Sequence, residues 1–301
     1  MSDEFSKPSG RAEDRLSPSS AAYRLTHVLN AVCEAHEIDR FPVDVASLAK
    51  ESARIFHWDD PITEVQAAAI HRFEGALYPS EDRRRWLLLY NDALRSPGRI
   101  LFTQAHELGH YLLHRMDRDR FECSDADMID LAQDEADIES QADSFASTLL
   151  MPLDDFRKQL TGAATFESLG TCTERYGVSL TAATLRWLSY TDQNAVLVIH
   201  RDGFILWAKS SKPAMRAGVF FRSKSHRAPI PIPLTSLAAD PLVDRELLGV
   251  EMDAQRWFPY ADRDSSLREM KISADHYDFV MTLLVLPRHA RVWKPWPAME
   301  E

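Results

Sequence analysis

Apolar positions recur at helical spacing between Ala21 and His36, where Leu25, Val28, Leu29 and Val32 fall on one face. A second helix is expected after Pro42, with Val43, Val45, Leu48 and Ala49 as its face and Asp44 in the acid-favouring first turn. The period then shortens. Val65 to Ile70 and Gly75 to Tyr78 read as extended segments, and Trp86-Leu87-Leu88-Leu89-Tyr90 as a buried strand. Asn91-Asp92 and Ser96-Pro97-Gly98 carry turn chemistry, and Ser96 before Pro97 is also a helix start, so Arg99 to His114 is expected to be helical. A dense acidic run over residues 117 to 143 becomes helical from Asp134 and ends at Leu150-Met151-Pro152. Phe156 to Leu160, Phe166 to Tyr176 and Leu180 to Tyr190 are short helices by pattern, with Gly177 as a stop and Ser179 as the next N-cap.

Beyond Asp192 the pattern turns to strands: Ala195 to His200, Phe204 to Ala208, Val219 to Phe221, Gly249 to Met252 and Phe279 to Leu286, with Asp202-Gly203 as a hairpin turn. No internal repeat is visible. The chain is therefore expected to be α+β. A disordered tail over residues 1–20, rich in Ser, Pro and charge, precedes a mainly helical domain with a small sheet over 21–190. A smaller, sheet-rich α+β domain follows over 191–301. The aromatic residues of that last part, Trp257, Phe258, Tyr260, Trp293 and Trp296, are expected in its core.

Composition narrows the function. The 301 residues are 45% hydrophobic and 27% charged, enough apolar material for a real core. A formal net charge of −11 repels a phosphate backbone, so direct nucleic-acid binding is not expected. The three cysteines, Cys33, Cys123 and Cys172, are far apart and form no CxxC pair, which fits a reducing cytoplasm. The N-terminus lacks the apolar core of a signal peptide, and no apolar run is long enough to span a bilayer, so no membrane association is expected.

The chemistry concentrates in His106-Glu107-Leu108-Gly109-His110. On a helix, positions four apart differ by about 40° around the axis, so the two imidazoles project from one face and can share one ion. Zinc suits them, because it accepts neutral imidazole and keeps an open position for catalysis. Glu107, about 100° round from His106, sits beside the ion without ligating it and is placed to take a proton from the attacking water. A plain pair of core histidines is the structural alternative; the surrounding helical pattern and the upstream strand argue for the metal. A third ligand remains to be found. A metzincin extension needs Gly at 113 and His at 116, where this chain has Leu113 and Met116. His114 is about 80° from His106, too far round to complete the same site, and is expected to hydrogen-bond nearby or cap the helix. The acidic helix after Asp134 offers Glu135, Asp137, Glu139 and Asp143. Glu139, Ala142, Asp143 and Ala146 share one face of it; the small alanines permit close approach, and Asp143 can orient a ligand histidine through its other ring nitrogen.

Two blocks carry a resemblance. Phe102-Thr103-Gln104-Ala105-His106-Glu107-Leu108-Gly109-His110-Tyr111-Leu112-Leu113-His114 and Glu139-Ser140-Gln141-Ala142-Asp143-Ser144-Phe145-Ala146, running on to Leu149-Leu150-Met151-Pro152, resemble the ImmA/IrrE family of metallopeptidases. The segment from Phe41 to Ala49 resembles that family's N-terminal helix, and the likeness covers roughly residues 25 to 190. It implies a zincin-like peptidase domain of the gluzincin type, with His106, His110 and Glu139 binding Zn2+ and Glu107 as general base. Asp143 stands where the family often has Asn. The resemblance further implies a protein substrate, a helix-turn-helix transcriptional repressor, whose cleavage relieves repression. It also implies a sensory, GAF-like C-terminal domain that takes a small-molecule effector.

Two readings compete. Phe166 to Tyr176, Gly177-Val178-Ser179 and Leu180 to Trp187 have the outline of a DNA-binding helix-turn-helix, although Arg186 is the only basic residue of its second helix. The other is a metal-bound sensor that acts by protein contact with little peptidase activity. For substrate, strand addition alongside Leu87 to Tyr90 is expected, and Tyr111, His71 and His114 are the candidates for stabilising an oxyanion.

Overall fold

The computed structural model describes residues 16–70, 73–118, 120–123, 133–221, 228–274 and 278–293. His71, Trp296 and most of the N-terminal tail therefore lie outside the described residues. The chain divides into two compact units, one formed by residues 1–153 with 176–178 and the other by 154–175 with 179–301.

The first unit opens with helices α1 (Pro18–His36) and α2 (Val45–Phe56). Asp44 is the N-cap of α2 rather than part of its first turn: its carboxylate accepts the Ser47 N–H at 3.0 Å and the Ser47 hydroxyl at 2.6 Å. Those two bonds hold its pKa below the usual carboxylate range. Strands β1 (Ile62–Ala68), β2 (Gly75–Pro79), β3 (Trp86–Asn91) and β4 (Phe121–Cys123) form a mixed sheet in the order β1-β3-β2-β4. β1 runs parallel to β3; the other pairs are antiparallel. The strand expected to offer a free edge, β3, is bonded on both sides, by β1 and β2, so an extended substrate cannot add alongside it.

Helix α3 (Pro97–His114) packs on β2 and β3, and α4 (Gln133–Leu150) packs on α3 and α1. Ser96 caps α3 through its hydroxyl, and Pro97 supplies the fixed φ of the first turn. Every residue of α3 from Thr103 to Leu112 is buried. Apolar packing explains Ala105, Leu108 and Tyr111; it does not explain the polar Thr103, Gln104, His106, Glu107 and His110 buried with them. Residues 176–178 return to this unit: the Phe41 ring meets Tyr176 edge-on at 4.8 Å, and Gly177 takes φ +65° beside Pro42.

The second unit begins with α5 (Leu153–Gln159), α6 (Phe166–Tyr176) and α7 (Leu180–Tyr190). Arg186, the only basic residue of the expected recognition helix, is buried on α7 with Ala183, Thr184, Trp187 and Leu188, as in a packing element. Strands β5 (Asn194–Arg201), β6 (Phe204–Ser210), β7 (Arg245–Asp253), β8 (Ser266–Ala274) and β9 (Phe279–Leu286) form an antiparallel sheet ordered β6-β5-β9-β8-β7, with α8 (Lys212–Ala217) after β6. Asp202 and Gly203 both have positive φ, 51° and 78°, as a tight hairpin turn requires. Val219 to Phe221 is not a strand. Gly218, at φ +87°, ends α8, and the Val219 N–H donates back to Ala214 at 2.8 Å. Strand β8 escapes a hydrophobic pattern because two of its inward residues are charged: Glu269 and Lys271 are buried. Trp257 and Phe258 lie in the core as expected, whereas Tyr260 and Trp293 are about half exposed. No helix among the described residues is long and apolar enough to cross a membrane.

His200 on β5 is 2% exposed, with Nε2 3.2 Å from Thr282 Oγ1. Burial, and then the nearby Lys271 charge, push its pKa down to about 4. The unfolded chain protonates this imidazole below about pH 6.5 while the fold keeps it neutral, so stability falls as pH drops from about 6.5 to about 4. The contribution amounts to roughly 3 kcal/mol at most. His200→Asn is expected to show a shallower loss of stability over that window than wild type, measured by urea unfolding at both ends of it.

Candidate metal centre

The site is built where α3 and α4 come closest. A Cβ at Gly109 would stand 3.2 Å from Ala142 Cα and 3.0 Å from Phe145 Cδ1, tight contacts that glycine avoids where the helices meet. Ala142 and Ala146, both fully buried, are the small residues on the α4 side. Across this contact one turn of each helix faces the other: His106 and His110 on α3, Glu139 and Asp143 on α4.

His106 Nε2 lies 3.0 Å from His110 Nε2 and 3.0 Å from Glu139 Oε2, and His110 Nε2 lies 3.4 Å from Glu139 Oε1. One ligand atom from each residue falls within 4.8 Å of the others. His106 faces a carboxylate from each ring nitrogen, Asp143 Oδ1 at 2.9 Å from Nδ1 and Glu139 Oε2 at 3.0 Å from Nε2; with the proton on Nδ1, as Asp143 can hold it, Nε2 is bare in the neutral ring. His114 Nε2 is 3.4 Å from Gln141 Oε1 and its Nδ1 is 3.2 Å from His110 Nδ1. With the amide oriented so that Oε1 accepts, His114 donates from Nε2, receives at Nδ1, and leaves His110 Nε2 bare as well.

Two imidazole lone pairs and a carboxylate thus converge with no proton to share between them, which is the donor set of a divalent cation. Ligands about 2.0–2.2 Å from a tetrahedral ion stand roughly 3.4 Å apart, close to the spacings here. The protonation states agree. Burial pushes the His110 pKa down to about 4, the neutral state a ligand needs. Burial alone would raise the Glu139 carboxyl, but the adjoining His106 and His110 side chains outweigh it and hold the group well below the ordinary range.

Glu107, next to His106 on α3, is completely buried. It occupies space that Gly75 of β2 leaves open: a Cβ at Gly75 would overlap the Glu107 carboxylate and approach its Cγ to 2.8 Å and Thr103 Cγ2 to 2.7 Å. The Phe121 ring of β4 stacks on His110 with centroids 4.7 Å apart and planes 19° apart. His114, expected to bond nearby, does so, and is buried beside His110. Tyr111 is spoken for, its hydroxyl donating to the Asp60 carbonyl at 2.9 Å while its ring packs against Trp58 and Trp86. Of the other acids on α4, Asp137 is exposed and the Glu135 side chain lies outside the described residues. Gly75, Gln141 and Phe121 were not foreseen as parts of the site. Gln141 follows Glu139 by two residues, but only its distance to His114 shows a task for it.

Two substitutions test this geometry. Gly75→Ala is expected to retain bound metal while displacing the Glu107 carboxylate, with catalytic turnover down by about 10²-fold or more; metal content and turnover measured on the same sample separate the two. Gln141→Leu removes the acceptor that fixes the His114 and His110 tautomers, and metal affinity should fall about 10–100-fold in a competitive chelator titration.

Residues 60–188 match the IrrE N-terminal-like domain, a family of peptidases. No curated protein matches the chain. Both helices of the centre, with all three candidate ligands and Glu107, lie inside the matched span, so over residues 60–188 the chain is similar to the ImmA/IrrE family of peptidases.

Proposed function

We propose that this protein is a zinc-dependent endopeptidase that cuts a protein substrate, a helix-turn-helix transcriptional repressor, and so relieves repression. The observation that carries the reading is the convergence of His106 Nε2, His110 Nε2 and a Glu139 carboxylate oxygen, with a buried carboxylate, Glu107, on the same helix. The repressor substrate rests on the family resemblance alone.

His106, His110 and Glu139 would hold the ion, which when bound would supply Lewis acidity for the attacking water and the scissile carbonyl. Asp143 holds the proton on His106 Nδ1 and fixes the plane of that ring; His114 and Gln141 do the same for His110. Glu107 receives the proton of the attacking water and returns it to the leaving amine nitrogen. Its closed setting against Gly75 keeps the carboxylate in one position for both transfers.

The test pairs metal content with cleavage of the repressor encoded nearest the gene, comparing wild type with Glu107→Gln. About one zinc per chain is expected in both proteins. Cleavage should fall about 10²–10⁴-fold in the variant and disappear from wild type on chelation. Zinc in both proteins with equal cleavage removes Glu107 from the chemistry. Zinc with no cleavage in either, and an unchanged transcriptional output in Glu107→Gln, favours the metal-bound sensor instead.

A further inference from the structure

The second unit carries a site that the peptidase chemistry does not use. On the inward face of its sheet, Val196, Leu284 and Leu267 belong to the apolar core. Further along the strands the same face becomes polar. Lys271 of β8 stands opposite Thr282 of β9, which stands opposite Val198 of β5; one step on, Ser273, Val280 and His200 form the next row. Lys271, Thr282 and His200 are 3%, 0% and 2% exposed. Burying an ammonium, a hydroxyl and an imidazole on a sheet face that is otherwise core costs stability unless they meet partners.

A cavity of about 690 Å³ opens over this patch, the size of a small-molecule site. His200, Lys271, Ser273 and Val280 line its sheet side, and Ile232 and Ala238 belong to its apolar wall. That wall is fixed by backbone hydrogen bonds. Ile232 N–H donates to Gly203 at 2.9 Å, and Glu269, the neighbour of Lys271 on the same face, accepts the Ala238 N–H at 2.7 Å. Lys271 Nζ donates to the Asp240 carbonyl at 2.6 Å. Among the described residues this is its one hydrogen bond, which leaves donors of the ammonium for an occupant. Burial pulls the Lys271 pKa below the usual lysine range, against the pull of Asp240, Asp244 and Glu269. A negative group seated on Nζ would offset that penalty.

Charge at the lining sets the rest of the specificity. Asp202, Asp240 and Asp244 also border the cavity, three carboxylates against one ammonium. With one ammonium to seat one negative head, these carboxylates repel a second, which disfavours polyphosphates and dicarboxylates.

We propose that this cavity binds a small amphiphile with one carboxylate, its head on Lys271 beside His200 and Ser273 and its apolar body against Val280, Ile232 and Ala238. The ligand chemistry follows from the cavity alone and is independent of zinc and of peptide cleavage.

The full-length protein titrated with octanoate, octylamine and octanedioate by isothermal calorimetry tests it. Octanoate is expected to bind at least tenfold more tightly than the amine or the diacid. Lys271→Met should weaken octanoate at least tenfold. Val280→Phe, which narrows the cavity and leaves Lys271 in place, should do the same, and it keeps the test decisive where Lys271→Met does not fold. Zinc content is expected to be unchanged in both folded variants. No octanoate binding at millimolar concentration, binding no tighter than octylamine, or binding that survives Val280→Phe would each overturn the proposal.

Discussion

The close contact between α3 and α4 at Gly109 and Ala142 is the constraint on which the metal centre depends. A helix pair separated by ordinary side chains stands 8–10 Å apart, about the limit at which a glutamate on one can share an ion with two histidines on the other. Glycine facing alanine brings the backbones nearer, within reach of the shared ligands. The same contact aligns Glu139 with Asp143, one turn apart on α4, so that one acid faces the cluster and the other holds the proton on the far side of His106. One packing decision thereby sets the ligand geometry, the tautomer and the ring plane together.

The cost of burying polar groups organises both units. In the first, His106 and His110 on the buried stretch of α3 are reconciled by converging with Glu139 of α4 on one point. In the second, Glu269 is reconciled by the Ala238 N–H and the Trp257 indole, and Lys271 by the Asp240 carbonyl and an open cavity. A protein interior leaves few polar atoms without purpose, because each unmet hydrogen bond costs about 1–3 kcal/mol. Buried charge is for that reason a guide to sites, more so than exposed charge on a surface as acidic as this one.

Family likeness and compactness divide the chain at different places. The peptidase match runs to residue 188, through α5, α6 and most of α7, while those helices cluster by contact with the second sheet and only residues 176–178 return to the first unit. A matched span records common descent, whereas a compact unit records where the present side chains are buried.

Much was legible in the sequence, and the reason is local. The starts of α3 and α7, the ends of α6 and the β5–β6 hairpin are written in capping and turn residues within four positions of the place they act: Ser96 with Pro97, Ser179, Gly177, and Asp202 with Gly203. The i, i+4 spacing of His106 and His110 is likewise a property of one helix, and so was the small-residue face of α4. What required tertiary structure was whatever depends on contact across long stretches of chain. Strand β8 was hidden because its inward face carries Glu269 and Lys271, whose burial is explained by residues 238, 240 and 257 bonding to them. The pairing of β3 on its second side came from β1, a parallel partner that sequence order does not place beside it. Gly75 became part of the site only when β2 was laid against Glu107, and Gln141 only when α4 brought it to His114. The sequence by itself determined which side chains could do chemistry, since donor type and helical period are local. Which of them meet, and which proton each holds, was decided by packing between elements distant in the chain.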